Sequence, residues 1–258
     1  MKRAYADIPL GQMHYRYCGK GEPLILVHFA GSCSDEYEEV GEFLADRFSV
    51  YAIDLFGMGF STKPDHQLSI AEHAQTVIDF MDAMKIDKTY LYGAMVGANV
   101  CVKVAIQCPE RVKKAIFTQV IYMKNFENFL ARRSSSYFDP LVLKEDGSHL
   151  LEVWKKGNLE AGYSPEINTW RTTCLLNCGD FIENMHHAVF SEDYNIYLPQ
   201  VKVPCVLVKL EKSVNAPHMD DAIKLLPHAE FDVYEGGNYF HAKVYPRKVA
   251  DMIIKHLP

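Results

Sequence analysis

The sequence predicts an α/β fold, a mostly parallel central sheet flanked by helices with a helical lid inserted over one end. Short continuous apolar runs bounded by Pro or Gly, such as Leu24-Ile25-Leu26-Val27 after Pro23, suit strands buried on both faces of a parallel sheet. These runs alternate with amphipathic helical patterns, the signature of strands joined by crossover helices. From about residue 121 to residue 199 the buried β-branched runs stop and helical patterns replace them. The expected organisation is therefore a core of residues 1–120 and 200–258, interrupted by a lid of residues 121–199.

Taken in order, residues 3–8 and 11–18 read as two short strands joined at Leu10-Gly11, and Gly19-Lys20-Gly21 as a turn before the Leu24–Val27 strand. The loop His28-Phe29-Ala30-Gly31-Ser32 leads into an amphipathic helix through Val40, Phe43 and Leu44. A strand from Ser49 to Ile53 runs into Asp54-Leu55-Phe56-Gly57-Met58-Gly59-Phe60-Ser61. Ser69 with Glu72 three residues on is a capping box, and Ile70, Ala74, Val77, Ile78, Met81 and Met84 follow at helical spacing. A strand and helix around Tyr90–Val100 and a strand from Lys114 to Val120 complete the first half. In the second half, Ser164-Pro165-Glu166 is an N-cap and N1 pair. Strands at 204–210 and 230–234 then enclose a helix with Met219, Ala222, Ile223 and Leu226, and a last helix carries Val249, Met252, Ile253 and Leu257.

Length and charge narrow the function classes. With 258 residues the chain buries a sizeable core without covalent staples. A net charge of −6 with scattered Lys and Arg argues against nucleic acid or an anionic membrane as partner. Seven cysteines at irregular spacing read as reduced thiols, and the first residues lack the apolar stretch of a signal peptide; together these point to the cytoplasm. No window approaches the ~18 apolar residues of a membrane span. No cofactor is expected, and the expected partner is a small, largely apolar ligand or substrate.

The most informative stretch is Tyr90-Leu91-Tyr92-Gly93-Ala94-Met95-Val96-Gly97-Ala98-Asn99-Val100. An apolar run ends at a residue flanked two positions away on each side by glycine, and a helix of small and apolar residues follows. That is the layout of a nucleophile elbow, a sharp strand-to-helix turn whose central residue is strained. Here the centre is Met95, whose thioether has no proton to lose. Further motifs follow the same plan: His28 closing a buried strand, Asp54-x-x-Gly57-x-Gly59-x-Ser61-x-Lys63-Pro64, Val203-Pro204 opening the strand after the helical segment, and Pro217 after its loop. In this combination the chain resembles the lid-bearing branch of the α/β-hydrolase fold superfamily along nearly its whole length.

The resemblance implies a nucleophile at the elbow, an acid after the post-lid strand and a histidine after the last strand. Met95, Ser213 and Tyr239 fall on those three positions, so the triad is degenerate if that register holds. Met95 cannot attack, Ser213 cannot neutralise a base, and Tyr239, with an ordinary pKa of ~10, is a poor base at neutral pH. What the frame retains is a pair of backbone donors, the N–H of Val96 and one from Phe29 or Ala30, aimed at one oxygen. Met95 then becomes a soft floor, and Phe29, Tyr122 and Phe240 candidate apolar walls. Tyr239 and His241 are the candidate proton-transfer groups, with Ser213 beside the ligand.

Three functions fit these residues. The leading expectation is a non-hydrolytic enzyme of isomerase, lyase or cyclase type acting on a small apolar carbonyl compound. The second is a non-catalytic ligand-binding or interaction protein, and the third a hydrolase with an unusual site that uses His241 or Cys33. Elsewhere the structural reading is preferred. His28 supports the loop from behind, Asp54, Gly57 and Gly59 shape a turn, and Asp35, Glu36, Glu38 and Glu39 form a solvated face at a helix start. For Ser213 the ordinary turn serine is the preferred reading. Cys174 and Cys178, with His186 and His187, do not match a common zinc framework and read as small packed hydrophobes on a face shared with Ile167 and Trp170.

Overall fold

In the computed structural model the described residues are 1–127, 142–161, 164–213, 215–238 and 241–258; for 156–161 and 241 only the backbone is described. Among them eight strands form one sheet in the order β1-β2-β4-β3-β5-β6-β7-β8. These are β1 (Lys2–Ile8), β2 (Gly11–Cys18), β3 (Glu22–Val27), β4 (Phe48–Ile53), β5 (Thr89–Ala94), β6 (Val112–Thr118), β7 (Cys205–Leu210) and β8 (Glu230–Tyr234). The β1–β2 and β2–β4 pairs are antiparallel and the other neighbours parallel. Leu24 to Val27, Leu91 and Tyr92 are sealed from solvent, as strands covered on both faces require.

Helices α1 (Glu38–Leu44), α2 (Ile70–Ala83) and α3 (Val96–Gln107) belong to the first half of the chain. The Ser69 capping box forms with both of its hydrogen bonds, and Ile70, Ala74, Val77, Ile78 and Met81 are the buried stripe of α2. Between β6 and β7 the chain makes α4 (Ser148–Ala161), α5 (Pro165–Cys178), α6 (Phe181–Phe190) and α7 (Tyr194–Tyr197). The Ser164 side chain accepts from the Ile167 N–H and so caps α5. After β7 come α8 (Ala216–Ala222), α9 (His241–Val244) and α10 (Pro246–His256). No described helix is long and apolar enough to cross a membrane.

Two boundaries differ from expectation. Strand β6 stops at Thr118 because Gln119 takes φ 53°, and its N–H turns to Val208 O at 2.7 Å. The helix expected through Leu226 gives way after Ala222 to a short 3₁₀ turn at Ile223–Leu225, which still delivers Leu226 to the core.

Candidate active site

The elbow is built as its glycines demand. Met95 caps α3 with φ 52° and ψ −117°, a conformation costly for a residue with a side chain. Its N–H donates to Thr118 O at 2.8 Å, and its carbonyl accepts from Ala98 and Asn99 at 2.8 and 3.1 Å. A Cβ at position 93 would lie 2.4 Å from Gly97 O. At position 97 it would lie 2.3 Å from Val27 O and 2.5 Å from His28 O. Glycine at 97 thus lets the Val27–His28 backbone lie against the first turn of α3, where the Val96 N–H has no partner within the helix. The loop that begins at His28 therefore starts beside the first turn of α3.

Buried polar side chains lock this arrangement. Asn99 clamps the chain after β6, its Nδ2 donating to Ile121 O at 2.9 Å and its Oδ1 accepting from Ile121 N at 2.8 Å. The Leu55 N–H donates to His28 Nε2 at 3.0 Å, which leaves the ring proton on Nδ1 to donate to Phe29 O at 2.8 Å. Complete burial holds the His28 pKa below its ordinary value, so the ring is a neutral strut under the loop, as the sequence suggests. Asp54 accepts from His14 Nδ1 and Phe60 N, both at 2.8 Å, and from Ser34 N, joining the turn after β4 to that loop.

The loops bearing positions 213 and 239 are stitched together. Lys212 N donates to Gly237 O at 2.9 Å, Glu211 N to Tyr234 O at 3.2 Å, and Gly236 N to Glu211 Oε2 at 2.8 Å. Gln119 Oε1 accepts from Leu210 N at 2.8 Å, tying the end of β7 to the residue after β6. Ser213 is buried, and its Oγ accepts from Asn215 N at 3.3 Å, the local bond of a turn serine. Tyr239 and Phe240 lie outside the described residues, as does the His241 side chain; the His241 backbone opens α9. Phe29 is buried, Ala30 and Met95 are half-buried, and the buried Tyr122 donates through its hydroxyl to Asn195 Oδ1 at 2.8 Å.

One expectation is corrected. Of the four acids expected on a solvated face only Glu39 is exposed; Asp35, Glu36 and Glu38 are drawn inward. Asp35 pairs with Arg16 at 2.7 Å and Lys243 at 3.0 Å, Arg16 also pairs with Glu38, and Glu36 is 1% exposed. The chain folds these acids inward because a 3₁₀ helix, Ser34–Tyr37, precedes α1 and turns Glu36 under the loop, where its Oε2 accepts from Ser32 Oγ at 2.7 Å. Burial pushes the Glu36 pKa up to about 8, against the opposing pull of Ser32 and Lys243.

A pH effect follows from Glu36. Unfolded, it loses its proton near its ordinary value of 4.5, whereas folded it keeps the proton to about 8. Between those values the folded chain holds the extra proton, so this group's stabilisation is full below the lower value and fades as pH rises. Glu36→Gln is expected to stabilise the protein by about 4 kcal/mol at pH 8 and by almost nothing near pH 4.5, read from urea unfolding across that range.

The thiols and histidines of the helical segment take structural places. Cys174 and Cys178 are buried on α5, His187 pairs with Glu183 at 3.2 Å, and His186 stacks on Phe190 with ring centroids 6.0 Å apart. Among the described residues no group of three or more His, Cys, Asp or Glu side chains is placed to hold a metal.

Comparison with known proteins agrees with this architecture. A family model described as alpha/beta hydrolase fold matches residues 22–145. An uncharacterised protein of Mycobacterium bovis is 31% identical over 121 residues, which is 47% of this chain and 36% of that protein. Haloalkane dehalogenase 2 of Mycobacterium tuberculosis is 31% identical over 111 residues, 43% of this chain and 39% of the relative. The 2-hydroxy-6-oxo-6-phenylhexa-2,4-dienoate hydrolase of Burkholderia cepacia is 32% identical over 111 residues, 41% and 38% of the two chains. The matched region thus spans little more than a third of the length of these curated relatives. Among solved structures, E-2-(acetamidomethylene)succinate hydrolase superposes with a TM-score of 0.78 at 18% identity, covering 99% of this chain and 98% of that one. The enol-lactonase of Burkholderia xenovorans does so at 0.76 and 15%, covering 98% and 99%. Sheet order, elbow and family match lead to one conclusion: the chain adopts the α/β-hydrolase fold, and its residues 22–145 match that family's model.

Proposed function

We propose that this protein is an enzyme that holds the oxygen of a small, largely apolar carbonyl compound at the backbone N–H groups of Val96 and of Phe29 or Ala30, and performs proton-transfer or C–C bond chemistry there without an acyl nucleophile. The single observation behind this reading is Met95 at φ 52° in the elbow. A strained turn normally positions an attacking oxygen, and here it carries a thioether, so what the strain still serves is the donor pair beside it. Such donors stabilise an enolate or developing alkoxide whether or not a nucleophile stands beneath them.

In this reading residues 121–199 act as a lid that keeps water off the bound carbonyl, with Met95, Phe29, Tyr122 and Phe240 as apolar contacts. Tyr239 and His241 move protons to and from the carbon next to the carbonyl, and Ser213 shapes the loop behind them. The name of the Burkholderia cepacia relative describes a conjugated oxo acid bearing a phenyl group, which supports the same ligand chemistry.

The test is hydrogen–deuterium exchange at the carbon beside the carbonyl of phenylacetone and benzylacetone in heavy water, followed by proton NMR. Saturable exchange above the buffer rate is expected, falling at least about tenfold in Tyr239→Phe or His241→Ala. Saturable binding without exchange would select a non-catalytic binder. Release of acid from aryl esters, with labelling by a fluorophosphonate, would select a hydrolase.

A further inference from the structure

Helix α5 rests on the loop that follows β3, and thiols meet at that contact. Cys33 Sγ and Cys174 Sγ are 3.7 Å apart although 141 residues separate them in the chain. Cys33 is 8% exposed and Cys174 7%, while Cys178, one turn further along α5, is 1% exposed. The same helix face carries Trp170, which lies under Lys243 with Nζ 5.2 Å from the ring, and Lys243 in turn pairs with Asp35 at 3.0 Å. Leu175 presses on Gly31 so closely that a Cβ there would be 2.8 Å from its Cδ2. Helix and loop are thus held face to face at several points, and the two sulfurs meet within that contact.

We propose that Cys33 and Cys174 are an oxidation site: a small hydroperoxide converts them to a disulfide that ties α5 to the loop carrying Phe29 and Ala30. In the first step Cys33 sulfur attacks the peroxide oxygen, the O–O bond breaks, Cys33 becomes a sulfenic acid, and water or an alcohol leaves. In the second, Cys174 sulfur attacks the sulfenic sulfur, the S–O bond breaks, the thiol proton goes to the departing oxygen, and water is released. Two thiols are oxidised by two electrons and the peroxide is reduced by the same two. The hydrogen bond with Cys33, together with burial, pushes the Cys174 thiol above its ordinary value. The sulfurs stand 3.7 Å apart, so reaching the ~2.05 Å of a disulfide asks for an approach of under ~2 Å, and the second step is intramolecular. The hydroperoxide is the oxidant class that suits the site, because thiols this covered exclude bulkier disulfides.

The tether fixes the helical segment against the loop that bears one of the two donors. Its formation does not depend on the chemistry proposed above: failure of the tether leaves that reading standing, and failure of ketone exchange leaves the tether standing. The test is titration of the reduced protein with hydrogen peroxide, alkylation in denaturant, and peptide mapping without reductant. Expected is one cross-linked pair containing Cys33 and Cys174, reversed by dithiothreitol, absent in Cys33→Ser and Cys174→Ser, and retained in Cys178→Ser. Amide exchange along α5 should slow at least about fivefold in the oxidised form, as expected for an element whose local opening is blocked. Oxidation of Cys33 to the sulfinic acid with Cys174 still alkylatable, a Cys174–Cys178 link, or all seven thiols remaining free at excess peroxide would overturn it. The wild-type peptide map decides even if a serine variant does not fold.

Discussion

Gly97→Ala is expected to cost at least about 4 kcal/mol and to leave much of the protein insoluble or unfolded at growth temperature. The added Cβ would sit 2.3 Å from Val27 O and 2.5 Å from His28 O, both main-chain atoms of the central strand and the loop it feeds. Neither oxygen can move without breaking the β3–β5 register, in which Val27 pairs with Gly93. Gly179→Ala is the informative contrast. Gly179 has φ +56° and ψ −134° with nothing within 4 Å of an added methyl, so it carries only dihedral strain, about 1–3 kcal/mol. Urea unfolding of both variants separates close backbone approach from dihedral strain. Equal losses would mean that the elbow does not pack against the β3 loop as described.

Asp54→Ala is the second large effect, about 3–5 kcal/mol at pH 7. The carboxylate is fully buried and takes hydrogen bonds from His14 Nδ1 and from the N–H groups of Phe60 and Ser34, all of which the alanine leaves unpaired in the interior. Burial alone would raise its pKa, but the hydrogen bonds from His14 and from the Phe60 and Ser34 N–H groups hold it below the ordinary value. A carboxylate whose folded pKa is depressed contributes fully above its unfolded value, near 3.8, and loses that contribution as pH falls through the folded value. Thermal melts from pH 3 to pH 7 should show the gap between wild type and Asp54→Ala closing toward the acid end. A constant gap would show that packing, not charge, accounts for the loss.

These two positions also mark what is legible in the sequence. The paired glycines at 93 and 97, and Asp54 ahead of Gly57 and Gly59, are needed for close backbone approach, and such constraints leave a local residue pattern. A Cβ at Gly59 would lie 2.1 Å from Asp54 Oδ2, so the spacing itself records the contact. Glu36 misleads for the opposite reason. Acids at a helix start suit the helix dipole in any protein, and its burial is imposed by Ser32, Tyr37 and the loop above, none of which is visible in local spacing. Gln119 reads as part of a strand because no glycine or asparagine announces its φ of 53°; its side-chain bond to Leu210 N holds it there. The Cys33–Cys174 contact crosses 141 residues and has no local signal at all. Tyr239 and Phe240, the positions on which the chemical reading depends most, fall outside the described residues.

The central claim is that an elbow centred on Met95 keeps its donor pair for the oxygen of a ligand. Titrating nitrogen-15 labelled protein with phenylacetate and following the Val96 amide by NMR tests this most directly. The account predicts a saturable downfield shift of the Val96 N–H, with no covalent adduct in the intact mass after fluorophosphonate treatment. A Val96 amide that stays still while the ligand saturates elsewhere, or a stoichiometric fluorophosphonate adduct, would contradict it.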